Sequence, residues 1–221
     1  MELAVGGDAL GVGAGLSFVE AAQSRTHWNV YRWDDDATSW VSRRMGGAPV
    51  GRDGFVQPSW EDFQRFGVPP YEHSLVMGNL ITNAGWRRIV DLAIGAGGQA
   101  WDSTHTRIGA GNGTGTAAGN STDLTAASGT GNRFFQPVSA AGTATSGTGT
   151  SGTGSSTLAF ASTFGTGDGN FAWNEFGVDQ GTATGSTVTA TLLNLKTSIS
   201  QGTKASGQTW TATVTFTFTS S

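Results

Sequence analysis

Cysteine is absent from the chain. That excludes disulfides and thiolate chemistry, and it leaves no basis for inferring either secretion or redox work. Charge is scarce as well. Asp, Glu, Lys and Arg make up 13% of the sequence, about half the share of an ordinary globular domain. The formal net charge is −4, and no run of Lys or Arg forms a stripe able to track phosphates, so a nucleic-acid partner is not expected. No apolar stretch approaches the roughly 20 residues of a membrane-spanning helix, and no membrane partner is expected. The opening residues lack the basic n-region and apolar h-region of a signal peptide, so a soluble protein is expected.

What is present is glycine, hydroxyl and aromatic side chain. The 35 glycines would fit a disordered chain if aromatics were missing, but 8 Trp and 12 Phe accompany them. Disordered chains lack that aromatic content, so the glycines are assigned to the turns of an ordered β protein. The clearest strand closes the chain. From Thr209 to Thr219, Trp210, Ala212, Val214, Phe216 and Phe218 alternate with threonines, the period-two pattern of a sheet with one buried face.

Composition shifts near residue 108. Six of the eight tryptophans and most charges precede it, and Gly, Thr, Ser and Ala dominate after it. The division expected is an extended arm over 1–15, an N-terminal module over 16–78, and a helix plus β-sandwich over 79–221. Within the module, His27–Trp33 and Ser39–Arg44 flank Asp34-Asp35-Asp36-Ala37-Thr38, which predicts a β-hairpin around an acidic turn. Pro58, Ser59 and Asp62 mark the start of a short helix with a near capping box, and Gly67 ends it. A second helix follows Thr82 or Asn83, with Trp86, Ile89, Val90, Ala93 and Ile94 forming one apolar stripe up to Gly95. Strands are then expected at 106–109, 133–138, 157–164, 170–178 and 186–196, with a low-complexity loop over 139–156 and a long turn over 196–208. The fold class expected is mainly β, an antiparallel β-sandwich with one or two short helices, preceded by the arm and hairpin module.

Candidates for chemistry are few. Gly109-Ala110-Gly111-Asn112-Gly113 has the look of a phosphate loop, but no helical pattern follows and no Lys-Ser/Thr closes it. His27, His73 and His105 lack metal-ligand spacing or an acid partner. The Asp34–Asp36 cluster fits a solvated turn better than a calcium loop. Asp168 and Glu175 are separated by a strand and turn that could bring them together as paired carboxylates, but a loop Asp and a semi-buried polar residue are the better reading. Glu175 lies among aromatics on a strand covered on both sides, where an unpaired charge is costly, so a backbone N–H or an arginine partner is expected. The sequons at Asn112-Gly113-Thr114 and Asn120-Ser121-Thr122 are short enough to occur by chance. No catalytic, cofactor-binding or metal-binding residue is assigned, and no cofactor.

Several blocks in order carry a resemblance: Asn79-Leu-Ile-Thr-Asn-Ala-Gly85 and its helix, Arg107-Ile-Gly-Ala-Gly-Asn-Gly-Thr114, Asn170-Phe-Ala-Trp-Asn-Glu-Phe-Gly-Val178, and Gly207-Gln-Thr-Trp-Thr-Ala-Thr-Val-Thr-Phe-Thr-Phe218. Over roughly residues 79–219 the chain resembles a family of tailed-phage virion proteins, some described as tail-fibre or minor tail proteins. The resemblance supplies no catalytic or ligand residues. It implies a non-enzymatic virion component, assembled in the host cytoplasm and touching the major capsid protein or other virion proteins, with a homo-oligomer such as a trimer expected. Capsid decoration is the first reading, because an arm and long polar loops suit lattice bridging and no fibrous repeat is present. A tail-tip, baseplate or fibre protein is the alternative, and a carbohydrate-binding module using exposed Trp with Asp168 and Glu175 is the alternative from another class.

Overall fold

A computed structural model describes residues 23–139, 143–147 and 155–219. The expected arm over 1–15 and parts of the low-complexity loop lie outside these residues. The chain forms β1 (Gln23–Trp33), α1 (Asp35–Arg44), α2 (Trp60–Arg65), β2 (Glu72–Met77), β3 (Leu80–Ile81), α3 (Asn83–Ala93), β4 (Thr106–Gly111), β5 (Arg133–Pro137), β6 (Thr143–Gly147), β7 (Ser155–Phe164), β8 (Glu175–Gln180), β9 (Leu192–Thr197) and β10 (Thr209–Thr219). The strands make two five-stranded antiparallel sheets, β2-β1-β10-β7-β6 and β3-β9-β8-β4-β5. The mainly β, sandwich-like fold read from the sequence is therefore present.

The closing strand is central to the first sheet. β10 pairs with β1 from Gln23↔Thr219 to Trp33↔Thr209 and with β7 on its other side. Its Trp210, Ala212, Val214 and Phe216 are buried against Trp28, Val30, Phe160 and Phe164 of the same sheet and Ile108, Phe176 and Val178 of the other. Trp173 meets Trp210 edge-on at 4.9 Å, and Trp28 stacks on Phe176 at 4.9 Å. Fully burying each such aromatic contributes about 1.5–3 kcal/mol. The threonine row is not uniformly wet: Thr209 and Thr211 are buried at its start, where Gln57 and Thr163 hydrogen-bond their hydroxyls.

Two expectations are corrected. The hairpin does not form, because its second arm is α1. Asp34 caps that helix, its Oδ1 accepting the Ala37 N–H at 2.8 Å. Asp35 and Asp36 sit in the first turn and Arg43 and Arg44 in the last, each sign at the helix end it stabilises. The acidic cluster is thus a helix start rather than a turn. Residues 16–78 and 79–221 also do not part into separate modules, since β1 and β2 belong to the same sheet as β10. The segment between β1 and β2 packs on its own small core of Trp33, Val41 and Phe63. Among the described residues there are three helices rather than one or two.

The other helices start where the sequence places them. Ser59 and Asp62 form the capping box of α2, and Thr82 caps α3 by accepting the Gly85 N–H at 2.9 Å. The face of α3 is different from the one expected. Gly85 is buried and Ile89 and Leu92 are half-buried against the core, while Trp86, Val90 and Ile94 are 44%, 53% and 71% exposed. Of the strand expected over 170–178, only Glu175 onward joins the ladder; Phe171–Asn174 instead runs beside residues 199–204.

Candidate interaction surfaces and buried polar staples

Sheet β3-β9-β8-β4-β5 carries its polar chemistry on the face away from the sandwich core. Along β4, Ile108 and Ala110 enter the core, which puts Arg107, Gly109 and Gly111 on the opposite face; along β8, Phe176 and Val178 do the same for Glu175, Gly177 and Asp179. Two loops lie over this face, and buried ionic groups hold them there.

The first loop runs from Asn112 to Asn132. Glu175 is fully buried beneath it. Its Oε2 accepts the Thr125 N–H and hydroxyl at 2.8 Å each, and its Oε1 accepts the Ala126 N–H at 2.7 Å. The backbone N–H expected from the sequence is therefore the partner found, in duplicate. Arg133 holds the same loop, donating to the Leu124 and Ala126 carbonyls at 3.2 Å and pairing with Asp123 at 3.0 Å. Leu124, Phe135, Leu192 and Leu195 form a second small core underneath. The glycines of the would-be phosphate loop are explained here. Gly109 lies under the Phe135 ring and Gly111 against the Glu175 carboxylate, where a Cβ would collide. They are sites of close approach on a buried strand.

The second loop spans 181–189. Arg107 forms a bidentate pair with Asp179, through Nε at 2.9 Å and Nη2, and donates to the Ala183 and Thr187 carbonyls at 2.9 Å. Both side chains are essentially inaccessible. Burial pushes the Asp179 carboxyl up to about 6, against the hydrogen bonds and charge of Arg107, which pull it down. Arg32 does similar work in the other sheet. It sits over the Trp210 ring at 4.7 Å, donates to the Gln201 carbonyl at 2.9 Å and pairs with Glu72 at 2.6 Å.

The remaining candidates are dispersed. His73 stacks on Tyr31 at 4.4 Å and meets Asn29 Oδ1 at 2.9 Å. His27 is half-buried on neighbouring β1. His105 belongs to the turn before β4, where Asp102 Oδ1 lies 2.7 Å from its Nδ1 and also accepts the Thr104 N–H. That acid partner was not expected. Asp168 accepts the Gly165 N–H at 3.1 Å in a tight turn, so it and Glu175 are committed to different loops. Among the described residues no group of three or more His, Cys, Asp or Glu is placed to hold a metal ion. No helix among them is long and apolar enough to cross a membrane.

Two apolar features face solvent. One is the Trp86, Val90 and Ile94 row of α3, with Leu75 and Met77 of β2 also exposed by 57% and 60%. The other is an apolar cavity of about 440 Å³ at the mouth of the sandwich, between Ile89 and Leu92 of α3 and Leu158, Phe216 and Phe218 of the first sheet. Comparison with family models, curated proteins and solved structures returns no match.

Proposed function

We propose that the protein is a non-enzymatic structural subunit of a tailed-phage virion, most specifically a capsid decoration or cement subunit that binds the major capsid protein. The observation that carries this reading is the exposed α3 row. A helix that turns Trp86, Val90 and Ile94 to solvent while burying Gly85, Ile89 and Leu92 has a second apolar face to cover, and contiguous exposed apolar surface is where protein partners bind. The use of the buried charges agrees with it. Glu175, Arg107, Asp179 and Arg133 all fasten loops onto the sandwich, giving a rigid body with long polar loops on one face. The block order over residues 79–219 gives the reading its phage identity.

The test is occupancy of particles. Val90→Asp with Ile94→Asp alters only exposed positions, so the melting temperature should hold while occupancy falls at least about tenfold, a loss of roughly 1.4 kcal/mol or more. Unchanged occupancy removes the α3 face from the interface. Counting copies separates the two virion readings: hundreds per particle fit decoration, and about a dozen or fewer fit the tail tip, baseplate or fibre.

A further inference from the structure

The least expected group in the molecule is Lys204. It is fully buried, yet lysine is almost never fully buried without a charged partner. Its two hydrogen-bond partners are both uncharged: Nζ lies 2.7 Å from the Gly165 carbonyl oxygen and 2.8 Å from the Asn170 side-chain Oδ1. Burial pushes its pKa down to about 8, although Asp168 and Asp35 nearby favour the charged form. A sizeable fraction of the amine is thereby neutral, and nucleophilic, under mildly alkaline conditions.

The two side chains are held against each other by a backbone ladder. The Lys204 N–H donates to the Phe171 carbonyl at 3.1 Å, the Trp173 N–H to the Gly202 carbonyl at 2.9 Å, and the Gln201 N–H to the Trp173 carbonyl at 2.8 Å. The Asn170 carboxamide is oriented independently. Its Nδ2 donates to the Thr166 carbonyl at 3.0 Å, which turns Oδ1 toward Lys204. The Trp173 indole N–H anchors the same turn on the Gly169 carbonyl at 2.9 Å. Nζ is at hydrogen-bond distance from Oδ1, so the Asn170 Cγ is one carbonyl bond beyond, and attack requires closing to the roughly 3–3.5 Å separation of a near-attack pair.

We propose that Lys204 and Asn170 join spontaneously in an intramolecular isopeptide bond. The neutral Nζ adds to Cγ of Asn170, and the Nζ–Cγ bond forms. The positive charge that develops on Nζ is favoured by the Asp168 and Asp35 carboxylates. A proton passes from Nζ to Nδ2 through solvent at the exposed side of Asn170, the Cγ–Nδ2 bond breaks, and ammonia leaves. No oxidant or cofactor is required. The bond welds the turn after β7 to the loop before β10 across 34 residues, and it stands independently of where the protein is used.

The experiment is mass spectrometry of the purified full chain, incubated at pH 9 and then denatured. The intact mass should fall below the sequence mass by one ammonia molecule. Trypsin should then fail to cut after Lys204 and release a branched peptide joining 134–196 to 197–221. Asn170→Ser and Lys204→Arg should each restore the full mass, and Asn170→Ser should restore cleavage after Lys204. Because either variant could also loosen the fold, the wild-type peptide map decides alone. Recovery of linear 197–204 and 205–221 overturns the proposal. A mass deficit with cleavage after Lys204 intact overturns it too, since that pattern belongs to a succinimide at asparagine.

Discussion

Arg107 and Asp179 show what a single buried charge does in this protein. Removing the arginine leaves a carboxylate without its partner beneath the 181–189 loop, and breaking a buried pair in this way costs about 3–5 kcal/mol. Arg107→Ala should therefore lower the urea midpoint steeply, whereas Glu72→Ala, whose carboxylate is 57% exposed opposite Arg32, should cost much less. Asp179 also gives the stability curve a signed pH dependence. Its folded-state value of about 6 exceeds the ordinary 3.8, so the folded protein holds the proton more tightly than the unfolded chain. The contribution is complete below the unfolded value and is lost as pH rises through 6. Asp179→Asn should remove that falling component from urea midpoints measured between pH 4 and 7, and an unaltered slope would show that Asp179 stays ionised throughout. Glu175 was legible as a buried acid in need of a backbone N–H or an arginine, because aromatics flank it on both parities, and the structure supplies backbone donors. Arg107 was not, because its partner lies 72 residues away and nothing local marks the pairing.

At the scale of elements, helix caps were readable and the buried face of α3 was not. Ser59 and Thr82 start α2 and α3 as their local chemistry dictates. Asp34 starts α1 by the same chemistry, but the aromatic runs on either side of it mimic a hairpin. Asp34→Ala should cost about 1 kcal/mol through loss of the cap, measured by thermal melting; no effect would mean that packing of Val41 and Phe63 alone holds α1. The orientation of α3 was missed for a steric reason. Hydrophobic periodicity ranks side chains by size and polarity, and so selects Trp86, Ile89, Val90, Ala93 and Ile94, of which Ile89 alone is half-buried against the core. Packing selected Gly85 instead, since the helix start rests on the β9 backbone and a Cβ there would strike the Leu193 carbonyl. Gly85→Ala should destabilise by about 1–3 kcal/mol, the usual penalty of overpacking, and Ala84→Gly on the exposed side should cost no more than about 1 kcal/mol. Equal effects would refute the close approach.

For the whole molecule, the sequence alone determined that the protein is mainly β, where β4, β5 and β10 begin, and that its last strand has one face in a core. These follow from period-two alternation, β-suited residues and caps, all of which act within a few residues. Tertiary structure decided the rest. It placed β1 beside β10, so that the N-terminal and C-terminal halves share a sheet. It carried the strand expected over 106–109 on to Gly111 and buried its glycines under Phe135 and Glu175. It also set Lys204 beside Asn170. Each depends on which distant segments meet, and that is fixed by the joint packing of two sheets rather than by any window of the chain. β10 belongs to both accounts: its alternation announced a strand, and only the fold showed that strand to lie at the centre of its sheet, between β1 and β7.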